Sequence, residues 1–191
     1  MNSASNLHGK KIAILATDGF EQVELTEPRK ALKEAGAKTE VIAPRDGEIK
    51  GWNIREWGES VKVDKTLEGA HPQDYNALVL PGGVMNPDRL RMDPMAVDFV
   101  RKFVETGRPV AAISHGPWTL VEAGVVKGKT LTSCPSIKTD IIIMNAGAQW
   151  VDREVCTDGQ FITSRKPDDI PAFSRATIEA VSRGSAHRAA A

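Results

Sequence analysis

Cysteine is scarce. Cys134 and Cys156 are the only two in 191 residues, too few for a disulfide framework and fitting a reducing compartment. Net charge is missing too, because 25 lysines and arginines face 25 aspartates and glutamates. That balance leaves no electrostatic footprint for nucleic acid or an anionic membrane surface. Long apolar runs are absent. The longest, Ile141-Ile142-Ile143-Met144, falls far short of the roughly 20 residues a membrane span needs. The stretch from Met1 to Lys11 lacks the apolar core of a signal peptide. A cytoplasmic chain is expected, with neither membrane nor nucleic-acid partners.

What is present is ordinary for a single globular domain: 41% hydrophobic and 26% charged residues. Solid apolar runs at Ile12–Ala16, Glu40–Ala43, Asn76–Leu80 and Val110–Ile113 predict strands covered on both faces. Helical spacing predicts helices over Glu24–Ala35 (with Gly36 as C-cap), Pro94–Thr106, Trp118–Ala123 and Pro171–Val181. Short strands are expected within Gly47–Asp64 and at Lys129–Thr132, Val151–Cys156 and Gln160–Thr163. This alternation predicts an α/β fold, a mostly parallel sheet with helices on both faces. Residues 1–10 read as a polar N-terminal segment, 11–183 as one domain and 184–191 as a flexible tail.

In such sheets chemistry gathers at the carboxyl ends of the strands. Three loops lie there: Asp18-Gly19-Phe20-Glu21, Pro81-Gly82-Gly83, and Ser114-His115-Gly116-Pro117. The last joins a short apolar strand to a helix, the pattern of a nucleophile elbow, with Ser114 at the corner. The N–H groups of Gly83 and His115 are candidates for an oxyanion hole. Each feature also has a plain reading: Gly-Gly as a turn, Glu21 as a solvated charge near a helix start, Ser114 as an N-cap. A standard α/β-hydrolase triad needs its histidine downstream of the serine. Only His115 and His187 lie at or beyond Ser114, and His187 sits in the tail. Pro81-Gly82-Gly83 is neither a dinucleotide fingerprint nor a P-loop. No cofactor and no metal ligand set is expected.

Taken together, the segments Asp18–Leu25, Ala77–Gly83, Ala112–Pro117, Leu131–Ser133, Asn145–Ala148, Trp150–Asp152 and Thr163–Asp169 resemble the ThiJ/PfpI superfamily. The branch they match is that of PfpI-type intracellular proteases and general stress proteins. The resemblance spans Lys11 to Val181. It implies a flavodoxin-like sandwich related to class I glutamine amidotransferases, assembled as a homodimer or hexamer. The family nucleophile, a cysteine, falls on Ser114, and the histidine after it on His115. The acid that reaches this histidine from the neighbouring subunit falls on Asp88, and the glutamate beside the nucleophile on Glu21. The implied substrates are peptides or small carbonyl compounds, through peptidase, glyoxalase III-type or deglycase activity.

Serine departs from this pattern. A thiol is readily brought to its thiolate, whereas serine needs a general base. Ser114 is either a replacement that removes thiol chemistry or a natural serine in a weak hydrolase or a non-catalytic relative, so attenuated activity is expected. Cys134 is a candidate second thiol bordering the pocket, against the plainer reading of a buried cysteine. A non-enzymatic protective role, as a holdase or scaffold using an exposed Ile141–Met144 patch, is the alternative. A glutaminase is disfavoured, because no downstream histidine is followed two residues later by an acid.

Overall fold

Consecutive residues of β1 (Lys11–Leu15) feed opposite halves of the interior, as the two-residue period of a strand requires. Ile12 and Ile14 pack with Leu25, Leu32 and Phe173, whereas Ala13 and Leu15 pack with Phe99, Val100, Phe103 and Leu120. A strand apolar on both sides is therefore covered on both sides. The computed structural model describes residues 6–144 and 147–189.

After β1 come β2 (Phe20–Glu21), α1 (Gln22–Glu34), β3 (Lys38–Ala43), β4 (Glu48–Asn53), β5 (Glu56–Lys62) and β6 (Lys65–Thr66). The middle of the chain forms β7 (Ala77–Leu80), α2 (Met85–Arg91), α3 (Pro94–Glu105), β8 (Val110–Ile113) and α4 (Pro117–Glu122). The remainder is β9 (Thr130–Leu131), α5 (Lys138–Met144), β10 (Gln149–Trp150), β11 (Cys156–Asp158), β12 (Phe161–Ser164) and α6 (Ile170–Ala189). Seven strands make the central sheet in the order β11-β12-β8-β7-β1-β3-β6. All its pairings are parallel except β11 with β12. The fold is the expected flavodoxin-like α/β arrangement with helices on both faces. Helices α1 and α6 supply one half of the interior, and α3 and α4 the other. A separate sheet, β2-β4-β5, stands beside the carboxyl end of β1.

Local signals account for the helix ends. Asp93 caps α3 by accepting the Met95 and Ala96 N–H groups at 2.8 and 3.3 Å. Past α1, Gly36 takes φ +98°, and the Gly36 and Ala37 N–H groups return to the Lys33 and Leu32 carbonyls.

The fold departs from the expected elements in three places. Residues 151–155 are not a strand: Asp152, Arg153 and Glu154 are exposed, and pairing begins only at Cys156. The N-terminal segment is not wholly peripheral, because Leu7 is fully buried and its N–H donates to the Ala35 carbonyl at 2.8 Å. Helix α6 runs to Ala189, through most of the stretch read as a tail; its alanines favour helix. Of the Ile141–Met144 run, Ile141 is buried and Ile142 is 40% exposed. Asn145 and Ala146, which carry part of the family resemblance, lie outside the described residues.

One buried side chain pins the strand-end loops together. Asn86, fully buried at the start of α2, accepts the Thr17 N–H at 2.8 Å. It donates to the carbonyls of Pro81 and Gly82 at 3.0 and 3.1 Å. The substitution Asn86→Ala strands one donor and weakens two acceptors away from water, so a loss of about 3 kcal/mol is expected in urea unfolding. A loss below about 1 kcal/mol would show that the loops hold their places without it.

Candidate active site

The sheet reverses its direction of growth between β1 and β7. From β1 the chain moves outward to β3, and from β7 it moves the other way to β8. Such a switch point opens a crevice at the carboxyl ends of the two strands. Here it holds a cavity of about 440 Å³ lined by Gly19, Glu21, Glu24, Trp52, Ile54, Gly83, Val84, Met85, Ser114, His115 and Pro167.

Ser114 takes φ +61° directly after β8, a left-handed conformation unfavourable for a residue with a Cβ. Bonds on each side enforce it. The Ser114 N–H donates to the Ser164 carbonyl at 3.0 Å, and the Ser114 carbonyl accepts the Cys134 N–H at 2.9 Å. The turn closes with the Gly116 N–H on the Ile113 carbonyl at 2.8 Å. A Cβ at Gly116 would collide with the Leu80 carbonyl oxygen, so glycine is required where the elbow crosses β7. The corner is a strained turn from strand to helix at the carboxyl end of β8.

The carboxyl group against Ser114 belongs to Glu24, not to Glu21, the glutamate expected from the resemblance. Glu24 projects from the first turn of α1, is 1% exposed, and accepts the Gly82 N–H at 2.9 Å. It also bonds the Ser114 side chain. A Cβ on Gly82 would strike Glu24 Oε2 and come within 2.7 Å of Ser114 Cβ, so these three groups share one small space. Burial pushes the Glu24 carboxyl up to about 8, and the Glu21 charge adds to the shift against the two hydrogen bonds. Glu24 is thus largely protonated near neutrality and able to donate. Glu21 lines the same cavity, and its carboxyl accepts the Ile54 N–H at 3.5 Å. Burial raises its pKa also.

His115 lies between two hydroxyls: Nδ1 is 3.5 Å from Ser114 Oγ, and Nε2 is 2.8 Å from Ser136 Oγ. Burial lowers its pKa, which favours the neutral ring. Gly83 takes φ +82° and packs so tightly that a Cβ there would strike the Gly19 carbonyl and the Glu21 nitrogen. Among the described residues, neither the Gly83 nor the His115 N–H has an intramolecular acceptor. Both residues line the cavity.

Two other candidates stand apart. Within the chain Asp88 is held by Arg91, at 2.9 Å from Nε and 2.8 Å from Nη2, and lies outside the cavity wall. Arg91 in turn stacks over Trp118, whose ring neighbours His115. Cys134, the suggested substrate contact, is half-buried and also off the wall; its Sγ lies 3.4 Å from Ser136 Oγ. Among the described residues no three His, Cys, Asp or Glu side chains cluster for a metal ion. Sequence reasoning missed Glu24 and Ser136. Glu24 was visible only as a second acid one helical turn beyond Glu21, with no signal to prefer it, and nothing in the pattern marks Ser136.

The buried carboxyl has a measurable consequence. Its pKa is higher folded than unfolded, so the native state binds the extra proton and stability falls as pH rises from the ordinary glutamate range toward about 8. The limiting slope is about 1.4 kcal/mol per pH unit. Urea unfolding of the parent chain should show this decline, and Glu24→Gln should flatten it. An unchanged profile in the variant would mean that Glu24 ionises in the fold at no cost.

The sequence profile of the DJ-1/PfpI family matches residues 10–180. The chain is 43% identical over 169 residues to Deglycase PH1704 of Pyrococcus horikoshii, covering 88% of this chain and 98% of that protein. It is 44% identical over 170 residues to the Bacillus subtilis putative cysteine protease YraA, covering 88% and 96%. With General stress protein 18 of Bacillus subtilis it shares 44% over 173 residues, covering 89% and 96%. Among solved structures, a two-domain Anabaena variabilis protein with DJ-1/ThiJ/PfpI-like and ferritin-like domains aligns with a TM-score of 0.84 and 38% identity. The match covers 93% of this chain and 49% of that one. With the elbow, the switch-point crevice and the family profile in agreement, this chain belongs to the DJ-1/PfpI family.

Proposed function

We propose that this chain is a PfpI-type stress hydrolase acting on carbonyl compounds, as a glyoxalase III- or deglycase-like enzyme or as a peptidase, with its turnover attenuated by Ser114. The observation that carries this reading is the contact of the buried Glu24 carboxyl with Ser114 at a strained elbow. The names of the relatives, a deglycase, a putative cysteine protease and a general stress protein, support the same reaction class.

The geometry suggests distinct tasks. A carbonyl carbon at Ser114 Oγ leaves its oxygen beside the Gly83 and His115 N–H groups, which stabilise charge as it develops. His115 Nδ1 is the base that accepts the nucleophile's proton, and the protonated Glu24 donates toward the nucleophile. The 3.5 Å separation of Nδ1 from Ser114 Oγ is long for a productive hydrogen bond. An alcohol depends on that base far more than a thiol does. Slow chemistry at an otherwise complete site follows.

The carbonyl substrate enters past Trp52, Ile54, Val84 and Met85, an apolar lip. Family resemblance supports action in the cytoplasm, as a homodimer or hexamer in which Asp88 faces a neighbouring subunit. Among the described residues no helix is long and apolar enough to cross a membrane. The protective alternative finds less support, since Ile141 belongs to the core.

Methylglyoxal consumption and peptide hydrolysis, measured for the parent chain and Ser114→Cys, test the reading. The cysteine form should gain at least about tenfold in kcat, or about 1.4 kcal/mol of barrier. In that form Glu24→Gln should remove about 100-fold of activity, and Glu21→Gln far less. A folded Ser114→Cys protein silent in both assays would count heavily against an enzyme.

A further inference from the structure

The loop Ile54-Arg55 closes the β4–β5 hairpin between the paired residues Asn53 and Glu56. Its first residue takes φ +58°, a value that suits glycine or asparagine in such turns and is an outlier for a β-branched side chain. Ile54 is also 78% exposed, so burial in the core does not offset the strain. What the residue does border is the cavity, whose wall it forms together with Trp52. An apolar, β-branched side chain in a glycine's conformation is explained by contact with a ligand, not by the needs of the turn.

The base of the hairpin holds this tip over the crevice. Strand β2 pairs with β4 so that Glu21 lies beside Trp52. The Lys50 N–H donates to Asp18 Oδ1, and the Lys50 carbonyl accepts the Gly19 N–H, both at 2.8 Å. The Glu59 N–H donates to Gln22 Oε1 at 2.8 Å. The Trp52 indole N–H donates to the Ile54 carbonyl at 3.1 Å, and Trp57 packs edge-on to the Trp52 ring with centroids 5.5 Å apart. With its polar atom bonded inside the hairpin, Trp52 has only hydrocarbon to offer the cavity. Glu21 and Glu24 also line the cavity, and among the described residues no lysine or arginine does. Asp88, through which a neighbouring subunit is proposed to reach the site, is not part of this wall.

We infer that Trp52 and Ile54 set the specificity of the site: they receive an uncharged aromatic group attached to the reacting carbonyl, which makes aryl-substituted oxoaldehydes the preferred substrates. The preference in turnover rests on the proposed function, whereas the seat for the ring is a property of the resting protein. At about 440 Å³ the cavity has the size of a ligand pocket, and a compound as small as methylglyoxal leaves most of it unfilled. A carboxylate in the same place would give up its water for a wall of acids and hydrocarbon.

The test compares phenylglyoxal with methylglyoxal in the Ser114→Cys form. The ratio of their kcat/KM values should favour phenylglyoxal by about tenfold or more. Ile54→Gly and Trp52→Ala should each lower that ratio about tenfold, and Ile54→Val should retain most of it. Ile54→Gly should leave the urea midpoint no lower, because glycine suits φ +58°. A ratio that ignores both Ile54→Gly and Trp52→Ala overturns the assignment, as does one that moves only with the size of the assembly in gel filtration. Binding of acetophenone to the parent chain, followed by ligand-observed NMR, reads the seat without turnover. Its Kd should rise about tenfold in Ile54→Gly, and benzoylformate, the same ring bearing a carboxylate, should bind at least about tenfold more weakly than acetophenone. Should Ser114→Cys be silent toward both oxoaldehydes, the hydrolase reading fails. Acetophenone then decides alone: the raised Kd supports the wall, and absent binding or an unchanged Kd overturns it.

Discussion

Glu24 reaches the interior from the first turn of α1 and meets the Gly82 N–H at 2.9 Å. That bond crosses from the element after β1 to the loop after β7, the two strands between which the sheet reverses direction. A buried carboxyl is expensive to ionise, and here the environment resolves the cost by keeping the proton rather than by supplying a cation. The described residues lining the cavity include no lysine or arginine. The loop positions, the electrostatics of the crevice and the protonation of the group beside Ser114 all follow from this one placement. Asn86 performs the structural half of the same task with a neutral side chain, tying the Thr17 N–H to the Pro81 and Gly82 carbonyls.

Close approach is the second constraint. Gly82, Gly83 and Gly116 occur where three loops pass within contact distance, and a methyl group at any of them would meet backbone or the Glu24 carboxyl. Ser114 cannot relieve its own conformation, because the segments on both sides are bonded to Ser164 and Cys134. Strain of this kind costs about 1–3 kcal/mol and persists only where the surroundings over-determine it. The rigidity explains how a six-residue helix, α4, presents a well-placed corner. The position is set by the β8 hydrogen bonds and by contact with β7 more than by the helix that follows.

Much of this was legible in the residues. Apolar runs at β1, β3, β7 and β8 predict a parallel sheet because only a strand covered on both faces can be apolar on both. The elbow and its two loops follow from where those strands end. The choice between Glu21 and Glu24 was not legible, since both lie beside the turn that starts α1. Chain direction and depth decide it, with Glu21 at the half-exposed N-cap and Glu24 inside. Ser136 escaped notice for a related reason: it is an exposed loop serine, and its partner His115 lies 21 residues away. Leu7 misled in the other direction, because one apolar residue in a polar segment carries no periodicity, yet it fills space beside Ala35 and Ala37. Val151–Cys156 has apolar ends and a charged centre, and solvation of Asp152, Arg153 and Glu154 outweighs strand pairing there.

The electrostatics also bear on why the identity of the elbow atom matters so much. A thiolate at position 114 would sit beside two carboxyls with no lysine or arginine lining the cavity, so it is tolerable only while Glu24 stays neutral and donates to it. The raised pKa of Glu24 is thus the condition under which a negatively charged nucleophile exists in this pocket. Serine makes no such demand at rest, because its hydroxyl is neutral and is content to share a hydrogen bond with the carboxyl. The same protonated Glu24 that would stabilise sulfur's charge therefore gives an alcohol no base. The burden moves to His115, whose Nδ1 is at the far edge of reach. A site organised around a neutral acid and an uncharged imidazole suits a thiol, which ionises far more readily than an alcohol, and that contrast is the ground on which we propose attenuated turnover for Ser114.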